Sequence, residues 1–169
     1  LIYDEAGDHV AMQSAEVAIE QGSNVSFITP DRLISSEIMG MNLTPYLKKL
    51  QNENISFSIG RRLLDVSIRG NKLNALIGSD YDELFKNNLT FDQVFVNYGT
   101  KPLDELYFEL LPDSKNEGEV DYERFIKGYE QKIIKNKEST FNIFRIGDAI
   151  ASRNIHAAIY DALRLVIKI

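Results

Sequence analysis

The sequence predicts an α/β fold built around a parallel sheet, and three observations carry that prediction. Strand-like and helix-like apolar periodicities alternate over the first sixty or so residues. The first helical stretch is joined to the next apolar run by a short glycine turn, the connection expected of parallel strands linked by a right-handed crossover. A Gly70-Asn71 pair between two strand-like runs then marks an antiparallel hairpin set into that order.

The elements follow in turn. "LIYD" is the tail of an apolar strand, shorter than the five or six residues usual for one. The chain thus opens inside a strand, and the expectation is a piece of a longer polypeptide. From about Asp8 to Gln21 the pattern is helical, with Ala11, Ala15 and Ala18 on one face, small enough to let the helix lie close to a sheet. Asp8 is placed to cap it and Gly22 to end it. "NVSFITP" (24–30) is a second strand stopped by Pro30. A helix over 43–53 places Leu43, Tyr46, Leu47 and Leu50 on one side, and "ISFSI" (55–59) is a third strand. Residues 61–90 read as an antiparallel meander, with the hairpin first and a further strand between 81 and 90. "FDQVFVNYG" (91–99) returns the chain to the parallel sheet. Residues 1–100 thus form a Rossmann-like three-layer domain with an antiparallel β insert.

Residues 101–169 form a second region. Short helical turns are expected at 104–111 and 120–127, and a polar, lysine-rich loop over 128–140. A strand at 141–146 and a helix at about 154–167, with Ile155, Ile159, Ala162 and Val166 as its apolar stripe, close the chain.

Composition narrows the chemistry. Hydrophobic residues make up 44% and charged residues 26% of 169, ordinary values for a globular protein. The formal charge of −6 argues against bulk electrostatic binding of nucleic acid or an anionic membrane. With no cysteine and only two histidines, His9 and His156, a disulfide, an iron–sulfur cluster or a zinc site within this stretch is not expected. No apolar run nears the ~20 residues of a membrane span, and a cytoplasmic location is expected.

Three places could carry function. The first strand-to-helix turn, Asp4-Glu5-Ala6-Gly7-Asp8-His9, stands where dinucleotide-binding units carry G-x-G-x-x-G. It has one glycine and three carboxylates, and unit charges about 4 Å apart interact by several kcal/mol near a surface, so it would repel a pyrophosphate. The second strand ends on Thr29, with Asp31 and Arg32 beyond, rather than on the acid that holds an adenine ribose. The acidic turn also raises a phospho-acceptor signalling domain, but the third strand ends Ser58-Ile59-Gly60 and lacks the acceptor aspartate. His9 is expected at the surface or near the cap. In "VNYGTKP" (96–102) a strand runs into Gly-Thr with a proline beyond. In "FRIGDAIASRNIHAAIYDALRLV" (144–166), Gly147 permits a tight turn, and Asp148 can accept hydrogen bonds from a ribityl or ribose hydroxyl. The helix after it offers free N–H groups to a cofactor's oxygens. The alternatives are Asp148 as a turn former, Asn154 as a simple N-cap, and His156 as a packing residue instead of one facing a cofactor.

Read in order, "YDEAGDH", "ITPDRLISSEIMGMN", "DELYFEL", "GEVDYERFIKG" and the 144–166 segment resemble the C-terminal part of the flavin oxidoreductases related to trimethylamine dehydrogenase, histamine dehydrogenase and 2,4-dienoyl-CoA reductase, nearest their amine-demethylating branch. "VNYGTKP" resembles the A-T-G-x-x-P crossover of two-dinucleotide-domain flavoproteins, with Asn97-Tyr98 in place of small residues. The resemblance implies a nicotinamide-type domain over 1–100 and a return segment over 101–169 that supplies the terminal strand and helix of a flavin-type domain. It implies FAD or ADP near Gly147, Asp148, Ile155 and His156. An FMN-bearing barrel and a four-iron four-sulfur cluster would lie upstream, so no catalytic residue and no metal ligand is assigned here. An electron-transfer protein is the implied partner, with homo-oligomerisation of the full-length chain. The competing expectation is a structural or interaction domain with a vestigial nucleotide-binding fold.

Overall fold

The computed structural model describes residues 1–166. The chain forms two compact units, Leu1–Gly99 and a second that begins at Thr100.

In the first unit, β1 (Ile2–Asp4), β2 (Val25–Ile28), β3 (Ile55–Ser58) and β7 (Phe95–Asn97) form a parallel sheet in the order β3-β2-β1-β7. The register sets Ile2 beside Phe27 on one side and Phe95 on the other, and Asp4 beside Asn97. Successive strand residues point to opposite faces, so each strand feeds two cores. Ile2, Val25 and Phe27 pack under α1 (His9–Glu20) and α2 (Gly40–Leu50), against Ala11, Met12, Ala15 and Leu50. Tyr3 and Ile28 pack on the other face against Leu63, Ala75 and Ile77. Those three belong to the antiparallel sheet β4 (Arg62–Arg69), β5 (Lys72–Gly78), β6 (Asn87–Phe91), ordered β4-β5-β6. Helices, parallel sheet and antiparallel sheet are the three layers the sequence predicts.

Boundaries move where pairing decides them. Phe91 belongs to β6, where it pairs with Leu73, so the return strand shrinks from the expected 91–99 to Phe95–Asn97. Helix α2 begins at Gly40, three residues before its predicted start, and Pro45 lies inside it.

The second unit holds α3 (Glu105–Leu110), a 3-10 turn at Leu111–Asp113, α4 (Tyr122–Lys127), a 3-10 turn at Gly147–Ala149 and α5 (Ile155–Val166). Asp121 caps α4 through Arg124 N, and Gly128 at φ 73° closes it. The predicted strand at 141–146 is not formed. A strand needs a ladder partner, and no strand exists among the described residues of this unit. A side chain takes the partner's place: buried Asn116 donates from Nδ2 to Ile143 O and accepts at Oδ1 from Ile143 N, both at 2.8 Å. The adjacent Lys115 N donates to Phe141 O at 2.7 Å, and Arg145 is tied to Asp104 at 2.6 Å.

Candidate functional site

Two places bear on function, one in each unit. The first turn of the first unit is filled by its own side chains. Asp4, at the end of β1, is fully buried, and its Oδ1 accepts from Gly7 N and from Asn97 Nδ2, both at 3.0 Å. The same Asn97 nitrogen donates to Asp8 Oδ1 at 2.9 Å, while Asp8 caps α1 by accepting from Val10 N at 2.9 Å. One carboxamide thus ties together the two acids that flank the turn. Burial raises Asp4's pKa above the ordinary carboxylate value, and its Oδ2 is buried without a hydrogen-bond partner.

The third acid is also taken. Glu5 pairs with Arg62 of β4 at 2.6 Å, and the same guanidinium grips both oxygens of Asp80 at 2.7 Å each. Tyr3 donates its hydroxyl to Glu5 at 3.2 Å; burial and that acid hold the phenol protonated well above its usual range.

Gly7 is needed for reasons internal to the fold. It sits at φ 70°, and a Cβ there would lie 2.7 Å from Ser36 Oγ and 3.2 Å from Ser36 N. The loop after β2 presses on this point, with Glu37 N donating to Gly7 O at 3.0 Å. In a dinucleotide site that close approach belongs to a pyrophosphate; here it belongs to a loop of the chain. Thr29 is buried, its Oγ1 accepting from Asp31 N at 3.1 Å, and Asp31 accepts from Ser36 Oγ at 3.2 Å. His9 lies at the surface, 3.1 Å from the Tyr46 hydroxyl. The turn does not fit a pyrophosphate: it carries three carboxylates engaged with the chain's own groups, and the loop after β2 stands against Gly7.

The second place is the turn before α5. Gly147 is buried at φ 57°, and a Cβ there would meet the Ala158 Cβ at 3.2 Å, so the turn lies hard against the helix. Asp148 is exposed, its Oδ1 accepting from Arg153 N at 3.3 Å. Asn154 caps α5 by accepting from Ala157 N at 2.9 Å. Ile155 and His156 lie in the first turn of α5, both exposed. A glycine-fixed turn with an exposed carboxylate, followed by a helix start with uncovered side chains, could meet the hydroxyl-bearing part of a nucleotide. Together they would make one wall of such a site.

Four residues that shape these places escape sequence reasoning. Asn97 reads only as a departure from a small residue, and Arg62 as one charge on a strand. Asp161 and Arg153 read as helix and loop charges, yet Asp161 Oδ2 accepts from Gly147 N at 3.1 Å and pairs with Arg153. Among the described residues no group of three His, Cys, Asp or Glu side chains could hold a metal ion, and no helix is long and apolar enough to cross a membrane.

No protein-family model matches the chain. It is 52% identical over 166 residues to a probable N-methylproline demethylase from Rhizobium meliloti, across 98% of this chain and 24% of that protein. It is 30% identical over 169 residues to an N,N-dimethylglycine/sarcosine dehydrogenase from Chromohalobacter salexigens, again across 98% of this chain and 24% of that protein. The chain therefore spans about a quarter of the length of the curated relatives it matches. Among solved structures, histamine dehydrogenase from Rhizobium sp. 4-9 shares the fold with a TM-score of 0.64 at 18% identity, covering 96% of this chain and 22% of that one.

Proposed function

We propose that the chain is part of a flavin oxidoreductase related to trimethylamine dehydrogenase, in the amine-oxidising and demethylating branch, and that it serves an enzyme that oxidatively removes a methyl group from a small N-methylated amino acid. The observation that carries the proposal is 52% identity over nearly the whole chain to a probable N-methylproline demethylase. In such a reaction the carbon–nitrogen bond of the N-methyl group is oxidised to an iminium, and water then releases formaldehyde and the demethylated amine. The flavin supplies the two-electron acceptor for that oxidation.

The second unit binds rather than catalyses. Its Gly147–Asp148 turn and the first turn of α5, with Ile155 and His156, form one wall for FAD or ADP. Asp148 accepts a hydrogen bond from a ribityl or ribose hydroxyl, and main-chain N–H groups at the helix start face the cofactor's oxygens. FMN and a four-iron four-sulfur cluster belong to an upstream barrel of the same polypeptide. An electron-transfer protein takes the electrons onward, and the full-length chain works as a homo-oligomer in the cytoplasm. The filled first turn favours a scaffolding role for the first unit within that enzyme, with a vestigial nucleotide-binding fold.

The test is to purify the natural polypeptide that contains this sequence, denature it and identify what it releases. Flavin together with FAD or ADP in stoichiometric amount is expected. Release of neither would overturn the proposal.

A further inference from the structure

We propose that Asp161 is a positioning residue for the nucleotide site: through Gly147 and Arg153 it fixes the turn so that the Asp148 carboxylate meets the ligand, an inference that rests on a nucleotide binding at Asp148.

The turn at Gly147–Ala149 is three residues of 3-10 helix, too short to hold its own geometry. Its main-chain bonds are local, Ile150 N to Gly147 O at 3.0 Å and Ala149 N to Ile146 O at 3.3 Å. The restraint from outside comes from α5. Asp161, six residues into that helix, has a side chain only 19% exposed, and its Oδ2 accepts from Gly147 N at 3.1 Å. The same oxygen takes the Arg153 guanidinium, and Arg153's own main-chain N donates to Asp148 Oδ1 at 3.3 Å. Gly147, Asp161, Arg153 and Asp148 therefore close a ring around the turn. Gly147 is pinned to the Asp161 carboxylate directly and Asp148 through the arginine. Ala158 supplies the floor, within 3.2 Å of where a Gly147 Cβ would stand. A hydrogen bond to an ionised carboxylate is about twice as strong as a neutral one, which suits a group that must hold another residue still. Asp161 does not itself need to touch the ligand.

The test uses the full natural polypeptide carrying Asp161→Asn, Arg153→Met, Arg153→Lys or Asp148→Ala. Three quantities are measured: FAD or ADP affinity after reconstitution, hydrogen exchange across 146–153, and melting temperature. Asp161→Asn, which removes the charge that pairs with Arg153, is expected to speed exchange in that segment and weaken nucleotide binding about tenfold. Asp148→Ala should weaken binding similarly without speeding exchange. Arg153→Lys, which keeps the charge, should retain more affinity than Arg153→Met. If Asp161→Asn loosens the segment or lowers the melting temperature but leaves affinity within about twofold, while Asp148→Ala weakens it, the positioning role is overturned and the nucleotide site stands. If Asp148→Ala also leaves affinity unchanged, the nucleotide site itself is wrong and the inference falls with it. Should Asp161→Asn fail to fold, equal affinity of the two Arg153 variants and the wild type overturns the inference.

Discussion

Replacing Asn97 by alanine tests whether the first turn is held shut from within. Asn97 is 8% exposed, and its Nδ2 reaches Asp4 Oδ1 at 3.0 Å and Asp8 Oδ1 at 2.9 Å. The bond to Asp4 is buried, so its loss leaves a desolvated acceptor short of a donor, at a cost of about 1–3 kcal/mol. Asp8 is half-exposed and water can replace the amide there, so that bond contributes about 0.5–1.5 kcal/mol. Together they stabilise the closed turn by roughly 1.5–4.5 kcal/mol, or about tenfold or more in the opening equilibrium. Hydrogen exchange of peptides covering 2–10 and 94–99 reads that opening directly. The expected result is acceleration of at least about tenfold in both peptides, with a smaller effect once Asp8→Asn is already present, since coupled sites are non-additive. Acceleration below about threefold would refute the reasoning, because it would mean water or a rearranged turn supplies what Asn97 gives.

Two further perturbations probe the same turn. Asp4 has its pKa raised by burial, so the protonated form is favoured by folding; the stability it contributes is complete below the unfolded value of about 3.9 and is lost as pH rises through the folded value. Asp4→Asn, which mimics the protonated acid, should therefore gain in melting temperature over the wild type as pH is raised from about 4 to 8, and a gap that stays constant or reverses would contradict this. Gly7→Ala forces a side chain into a residue at φ 70° and within 2.7 Å of Ser36 Oγ, so a destabilisation of about 2 kcal/mol with faster exchange over 33–40 is expected. An unchanged melting curve would show that the loop yields freely.

What the sequence makes legible is what local periodicity encodes. The β1-α1-β2 order, the Gly70 hairpin, the Asp8 cap and the stop at Gly22 each rest on residues close in the chain, and each forms as expected; Asn154 caps α5, as the alternative reading of that segment had it. Pairing across distance is less legible. Residues 141–146 look like a strand because they are apolar, yet no strand stands beside them among the described residues, and Asn116, 27 positions away from Ile143, supplies the bonds instead. The acidic first turn was readable as hostile to a pyrophosphate. Its internal closure was not, because Asn97 lies 93 residues from Asp4 and Arg62 lies 57 from Glu5. Gly147 and Asp148 stand out from their turn chemistry, whereas Asp161 is one more charge on a helix until the fold brings it to Gly147 N.

The most direct measurement mixes the natural polypeptide anaerobically with either N-methylproline or NADH and follows the flavin absorbance. With the first strand-to-helix turn filled by Asp4, Asp8 and Asn97, and with relatives named for N-methyl amino acids, the N-methylated amine should bleach the flavin and NADH should leave it oxidised. Bleaching by NADH with none by the amine would contradict the account.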